Sequence, residues 1–140
     1  MQGYVEHMAT WEDVRRIALS LPETSEGPHF RTTSWKVKDK AFAWVRPLRD
    51  SDIDQLTELG EPVPEGEIMG ARVENELAKE VLIENEPEVF FTIPHFRSYA
   101  AILVRLDTIS EELLYETIVE AWLDRAPDKL AQAFLEERGT

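Results

Sequence analysis

The sequence predicts a two-layer α+β domain: a mainly antiparallel sheet with the N- and C-terminal helices packed on one face. Three observations carry this. The strand-like segments are grouped rather than alternating with long helices, which argues against a doubly wound parallel sheet. Amphipathic helical patterns stand at both ends of the chain. The 140 residues, 43% hydrophobic and 31% charged, suit one globular domain with a real core.

The elements follow in order. Residues 1–8 read as a frayed extension ahead of the first helix. Thr10 and Asp13 form a capping-box pattern, Val14, Ile17, Ala18 and Leu21 share one face, and Pro22 ends the helix. Residues 22–30 read as a loop rich in Pro, Gly and Ser. A hairpin is expected around Lys38-Asp39-Lys40, with Trp35 and Val37 alternating with lysines. Ser51 to Leu59 is expected to be a short helix with Ile53, Leu56 and Leu59 inward. Pro62 and Pro64 mark an extended linker. Ile68 to Val73 reads as a strand, and Leu77 to Glu84 as a helix with Leu77, Ala78, Val81 and Leu82 inward. Val89 to Ile93 and Ala100 to Leu106 are strands joined by the PHFRSY loop. Ser110 opens a long helix whose stripe is Leu114, Ile118, Ala121 and Trp122. A last helix carries Leu130, Ala131 and Phe134.

Composition narrows the function. The absence of cysteine removes disulfides, thiolate metal sites and cysteine nucleophiles, and fits a reducing cytoplasm. No apolar run reaches membrane-span length, and the N-terminus lacks a signal-peptide pattern. The three histidines, His7, His29 and His95, form no metal-ligand spacing, so no metal or cofactor is expected. No serine elbow or phosphate-binding glycine loop occurs. His95 lacks a nearby acid in sequence to orient it as a base, and reads better as anchoring its loop by a hydrogen bond to backbone. The formal charge of −13 is uneven. Residues 31–49 hold six basic residues against Asp39 alone, net +5, and residues 93–106 hold Arg97 and Arg105 with no acid, net +2. Exposed Lys36, Lys38 and Lys40 suit either phosphate contact or protection of an edge strand.

The segments RRIALSLPETSEGPHF, WKVKDKAFAWV, EVFFTIPHFRSYAAILVRL and ELLYETIVEAWLDRAP resemble the MmcQ/YjbR family over about residues 10 to 130. The resemblance implies a small cytoplasmic domain similar to the CyaY-like and secretion-chaperone-like folds, with hairpin wings that contact DNA. Carried onto this sequence, the wings are the hairpin around Lys38 to Lys40 and the strand pair joined by His95 to Tyr99. Two binding readings result. In one, Lys36, Lys38, Lys40 and Arg97 make weak contacts to DNA. In the other, Phe30, Trp35, His95, Phe96 and Tyr99 form an aromatic pocket for a protein or small ligand. An enzyme with a site around His95 is the third reading. The partner's identity and the oligomeric state are not written in the sequence. Without an acid partner or a nucleophile motif, no hydrolase activity is expected to depend on His95. A screen of generic ester and phosphate substrates checks this: a robust activity lost in His95→Ala would make the enzyme reading the leading one.

Overall fold

The structure, a computed structural model, describes residues 9–29 and 31–139, and of His29 the backbone alone. Helix α1 (Trp11–Leu19) is followed by strands β1 (Thr24–His29), β2 (Thr32–Val37) and β3 (Lys40–Val45). Then come α2 (Asp50–Glu58), β4 (Ile68–Arg72), α3 (Glu76–Asn85), β5 (Phe90–Phe91) and a 3-10 turn (Pro94–Phe96). Strand β6 (Ala101–Arg105) and helices α4 (Glu111–Arg125) and α5 (Asp128–Gly139) complete the described chain. The six strands form one sheet in the order β1-β2-β3-β4-β6-β5, every neighbouring pair antiparallel. The fold is α+β, as the grouped strands require.

Helix α1 begins where the sequence places it. Thr10 Oγ1 accepts from the Asp13 amide at 3.2 Å, and Asp13 Oδ2 accepts from the Thr10 amide at 2.9 Å. Burial raises the Asp13 pKa, but the Thr10 hydrogen bonds and Arg16 outweigh it and hold the carboxyl below its usual range.

The β2–β3 hairpin turns on Lys38 and Asp39, both with positive φ (48° and 69°). That is the geometry of a two-residue turn matching strand twist. A register shift between Trp35 and Lys36 follows: Trp35 pairs with Ala43 but Lys36 with Ala41. The extra residue, Phe42, lets Phe42 and Ala43 both join the core under the helices.

The main core lies between the sheet and the layer of α1 and α4. Trp35, Val37, Phe42 and Val104 from the sheet meet Val14 and Ile17 of α1 and Leu114, Ile118 and Trp122 of α4. Trp122 Nε1 donates to Pro22 O at 3.1 Å, and Phe134 of α5 packs on its ring at 4.9 Å between centroids. A second cluster sits on the opposite face, where Trp44, Leu103 and Phe91 are covered by Leu56 of α2 and by Ile93 and Phe96.

Four expectations change. Residues 24–29 are a strand, not a loop. TSEGPH has weak strand propensity, but it lies at the sheet edge, where Pro28 is tolerated and pairing to β2 decides. Strand β5 shrinks to Phe90–Phe91. On α2, Leu56 is buried, while Ile53 and Leu59 are exposed and Asp52 takes an inner position. On α3, Leu77 and Val81 are exposed and Lys79 is the buried residue. The last two departures share a cause: a buried polar group on each helix, Asp52 on α2 and Lys79 on α3, sets which face turns inward.

Gly70 shows how tightly the second face is packed. A Cβ there would lie 2.5 Å from Trp44 ring atoms, closer than side chains tolerate. Gly70→Ala should therefore destabilise the fold by about 1–3 kcal/mol and perturb Trp44. Chemical denaturation followed by tryptophan fluorescence checks both.

Candidate functional site

Strand β3 delivers the centre of the site. Its last residues turn Trp44 toward the second face, and the chain continues into Arg46, whose amide donates to Ile68 O at 2.9 Å. That bond places the Arg46 side chain beneath the start of α2 and the 3-10 turn. Arg46 is 7% exposed and Asp52 3%; Nη2 stands 3.0 Å from Asp52 Oδ2. The contact is an ion pair, but Nη2 makes no hydrogen bond, while Nη1 donates to Pro47 O at 2.6 Å. The guanidinium also lies over the Phe96 ring, 5.5 Å from its centroid. Asp52 does a second job, accepting from the Arg49 amide at 2.9 Å to start α2.

Beside this pair is a cavity of about 370 Å³. Arg31, Arg46 and Arg49 line it together with Trp44, His95 and Tyr99, and no carboxylate is among its described lining residues. Arg31 and Arg49 are exposed, so their cationic ends are hydrated and mobile, while Arg46 is fixed. Arg31 sits at φ 85°, in the left-handed region that a bulky side chain rarely occupies. Tyr99 packs edge-on against Phe96 (5.2 Å) and lies 6.2 Å from Trp44, with the Arg72 guanidinium 5.3 Å from its ring. Arg72 in turn meets Asp124 of α4 at 3.4 Å.

The loop that carries His95, Phe96 and Tyr99 is pinned from below. Lys79 Nζ donates to Phe96 O at 2.8 Å and Tyr99 O at 2.9 Å, and pairs with Glu76 at 2.9 Å. Three donors on one buried ammonium thus find three partners, which is what burial of a lysine demands. The anchoring role that the sequence gives to His95 belongs to Lys79; His95 is exposed at the cavity rim.

The aromatic reading survives only in part. His95, Phe96 and Tyr99 do line one cavity. Trp35 does not join them: it shares the helix side of β2 with Val37, stacks on Trp11 at 6.2 Å, and donates to Glu26 at 3.1 Å. Strand alternation puts it on the wrong side of the sheet, and Trp44 takes that place. Phe30 lies outside the described residues. Of the basic residues, Lys38 and Lys40 are exposed at the hairpin turn, and Lys38 Nζ is 3.5 Å from Glu23. Lys36 is half-buried opposite Ala41. Arg97 lines a different cavity of about 400 Å³, together with Glu61 and Glu76. The structure does not bring the four into one constellation. The missed residues are Arg31, Arg46 and Arg49, all inside the +5 segment. The available signal was their type: guanidinium forks suit bidentate anion recognition better than lysines do. Among the described residues, no group of three His, Cys, Asp or Glu side chains is placed to hold a metal ion. No described helix is long and apolar enough to cross a membrane.

An antiparallel α+β fold with a polar-aromatic cavity on the open sheet face is thus the frame into which relatives must fit. The YjbR family model matches residues 19–124. Uncharacterised proteins of Mycobacterium bovis and of two Mycobacterium tuberculosis strains are each 51% identical over 133 residues, covering 94% of this chain and 100% of theirs. The chain belongs to the YjbR family. A crystal structure of a Deinococcus radiodurans protein with a DUF419 domain superposes with a TM-score of 0.60 at 24% identity, covering 83% of this chain and 78% of that one. At that identity it speaks to the fold alone.

The contribution of the Arg46–Asp52 pair can be measured by removing one partner and then both. Asp52→Ala leaves Arg46 charged and uncompensated in a dry site, so it should cost about 3–5 kcal/mol. The double replacement Arg46→Met with Asp52→Leu should recover most of that loss, because the unpaired charge is gone. Urea denaturation of the wild type and the two variants measures both; equal losses in the single and double variants would refute the pair's role.

Proposed function

We propose that the protein is a non-catalytic binding module whose arginine cavity takes a small anionic ligand bearing a flat ring, of nucleotide-like chemistry. The observation that carries this is the cavity's charge. In a chain of formal charge −13, two exposed arginines, Arg31 and Arg49, line one cavity together with Arg46, whose charge Asp52 balances, and no carboxylate is among its described lining residues. Guanidinium groups grip phosphate or carboxylate through paired N–H donors. The half-exposed Tyr99 offers a ring face, and stacking of a base on an aromatic is worth about 1–3 kcal/mol. A volume of about 370 Å³ is of ligand size. We assign no catalytic role to His95.

Weak DNA contact through Lys36, Lys38, Lys40 and Arg97 is the second reading. It is favoured by the turn that presents Lys38 and Lys40 to solvent. Against it stand the Glu23 pairing of Lys38, the separate position of Arg97, and long-range repulsion of a polyanion by the acidic remainder.

Isothermal titration with AMP and with a short thymidine oligonucleotide separates the two. The variant Arg31→Ala/Arg49→Ala should weaken binding by about tenfold per arginine, as expected for lost charge-assisted bonds. Lys36→Glu/Lys38→Glu/Lys40→Glu should change it by less than about threefold, well under one such bond. If instead only the lysine variant weakens binding, and the salt slope falls by roughly one unit per lost phosphate contact, the hairpin is the contact surface. No binding of either probe by the wild type would overturn both.

A further inference from the structure

Helix α3 packs Leu82 and Ile83 against the main core but leaves two other apolar residues outside. Leu77 and Val81, one turn apart, are 68% and 45% exposed, whereas Lys79 between them is 2% exposed. The rotation is fixed by Lys79, whose ammonium is tied to Phe96 O, Tyr99 O and Glu76. Turning α3 to bury Leu77 and Val81 would break those three contacts and expose the loop behind them. The helix therefore cannot bury Leu77 and Val81 within the fold. Such a conflict between local pattern and global packing is where function is to be sought.

The exposed stripe does not stand alone. It forms one wall of a groove of about 740 Å³ between α3 and α4, larger than the arginine cavity, with Val73, Leu82 and Leu123 also lining it. Its polar boundary is acidic: Glu74 and Glu120 line it beside Asp124, which is paired with Arg72, and no basic residue is among the described lining. Apolar floor and anionic rim define the occupant by complementarity. We infer that this groove docks a basic amphipathic helix of another protein, its apolar side chains against Leu77 and Val81 and its lysines or arginines against Glu74 and Glu120. A second copy of this chain is the wrong occupant. None of the five described helices carries a net positive charge: four are net acidic and α1 is neutral, so none offers the basic face that the rim calls for.

Fluorescence anisotropy of a labelled synthetic helix tests this on the full chain. The probe is a peptide of about 18 residues, about five turns of helix, with leucines at helical i, i+3, i+4, i+7 spacing and lysines elsewhere. The control has the same composition in scrambled order. The wild type should bind the amphipathic peptide at least about tenfold more tightly than the scrambled one, a difference of about 1.4 kcal/mol. Leu77→Glu and Val81→Glu should each abolish that preference. Both positions are exposed, so the variants should keep the wild-type circular dichroism and melting temperature. Glu74→Gln/Glu120→Gln should weaken the binding of the amphipathic peptide. Equal binding of both peptides, or a preference unchanged in Leu77→Glu and Val81→Glu, would show attraction by net charge alone and overturn the inference. A wild-type dimer in sedimentation that dissociates in Leu77→Glu would overturn it too, by giving the groove to a second copy.

Discussion

The Arg46–Asp52 pair joins three pieces of chain that otherwise share no regular hydrogen bonding. Arg46 leaves the end of β3, Asp52 belongs to the first turn of α2, and Phe96 closes the 3-10 turn under the guanidinium. Both ions are almost wholly buried, so each depends on the other; a buried charge without its partner costs several kcal/mol. Because Asp52 also accepts from the Arg49 amide, one carboxylate fixes the start of α2 and the orientation of Arg46 together. The arginine cavity inherits its shape from this arrangement. Arg46 Nη2 is buried, paired in charge with Asp52 but not hydrogen-bonded.

Lys79 has the corresponding role in α3. It holds the carbonyls of Phe96 and Tyr99 and so sets the far wall of the same cavity. Its burial also decides which face of α3 looks outward. Two buried cations in an acidic protein thus organise the second sheet face, where the apolar cluster around Trp44 and Leu103 is smaller than the main core. The net charge frames the ligand as well. Screening limits exposed-charge interactions to roughly 8 Å at physiological salt, so a small anion feels mainly the nearby arginines. A long polyanion meets the acidic remainder.

The regions of the fold that were legible in the sequence are those where apolar periodicity agrees with packing. The stripe Leu114, Ile118, Trp122, the Thr10–Asp13 cap and the Lys38-Asp39 turn all lie where local chemistry puts them. The faces of α2 and α3 were not legible, because Asp52 and Lys79 are buried by partners that no periodicity reveals, Lys79 by carbonyls on a separate loop. The edge strand β1 was not either, since its pairing rather than its residues makes it a strand. At the site, the loop residues His95, Phe96 and Tyr99 could be grouped from sequence proximity. Trp35 and Trp44 could not be told apart until the bulge at Phe42 set which side each faces. The basic segment was visible as a charge count, but that count could not separate turn lysines from cavity arginines.

If ligand recognition resides in the arginine cavity on the open face, binding must be felt there and not at the hairpin turn. Amide chemical-shift mapping during titration with AMP tests this most directly, because it locates binding without altering a residue. Shifts should concentrate at Arg31, Trp44 to Arg49 and His95 to Tyr99, with the Lys38–Asp39 turn unmoved. Shifts confined to the hairpin turn, or spread evenly over basic residues throughout the chain, would contradict recognition by the cavity.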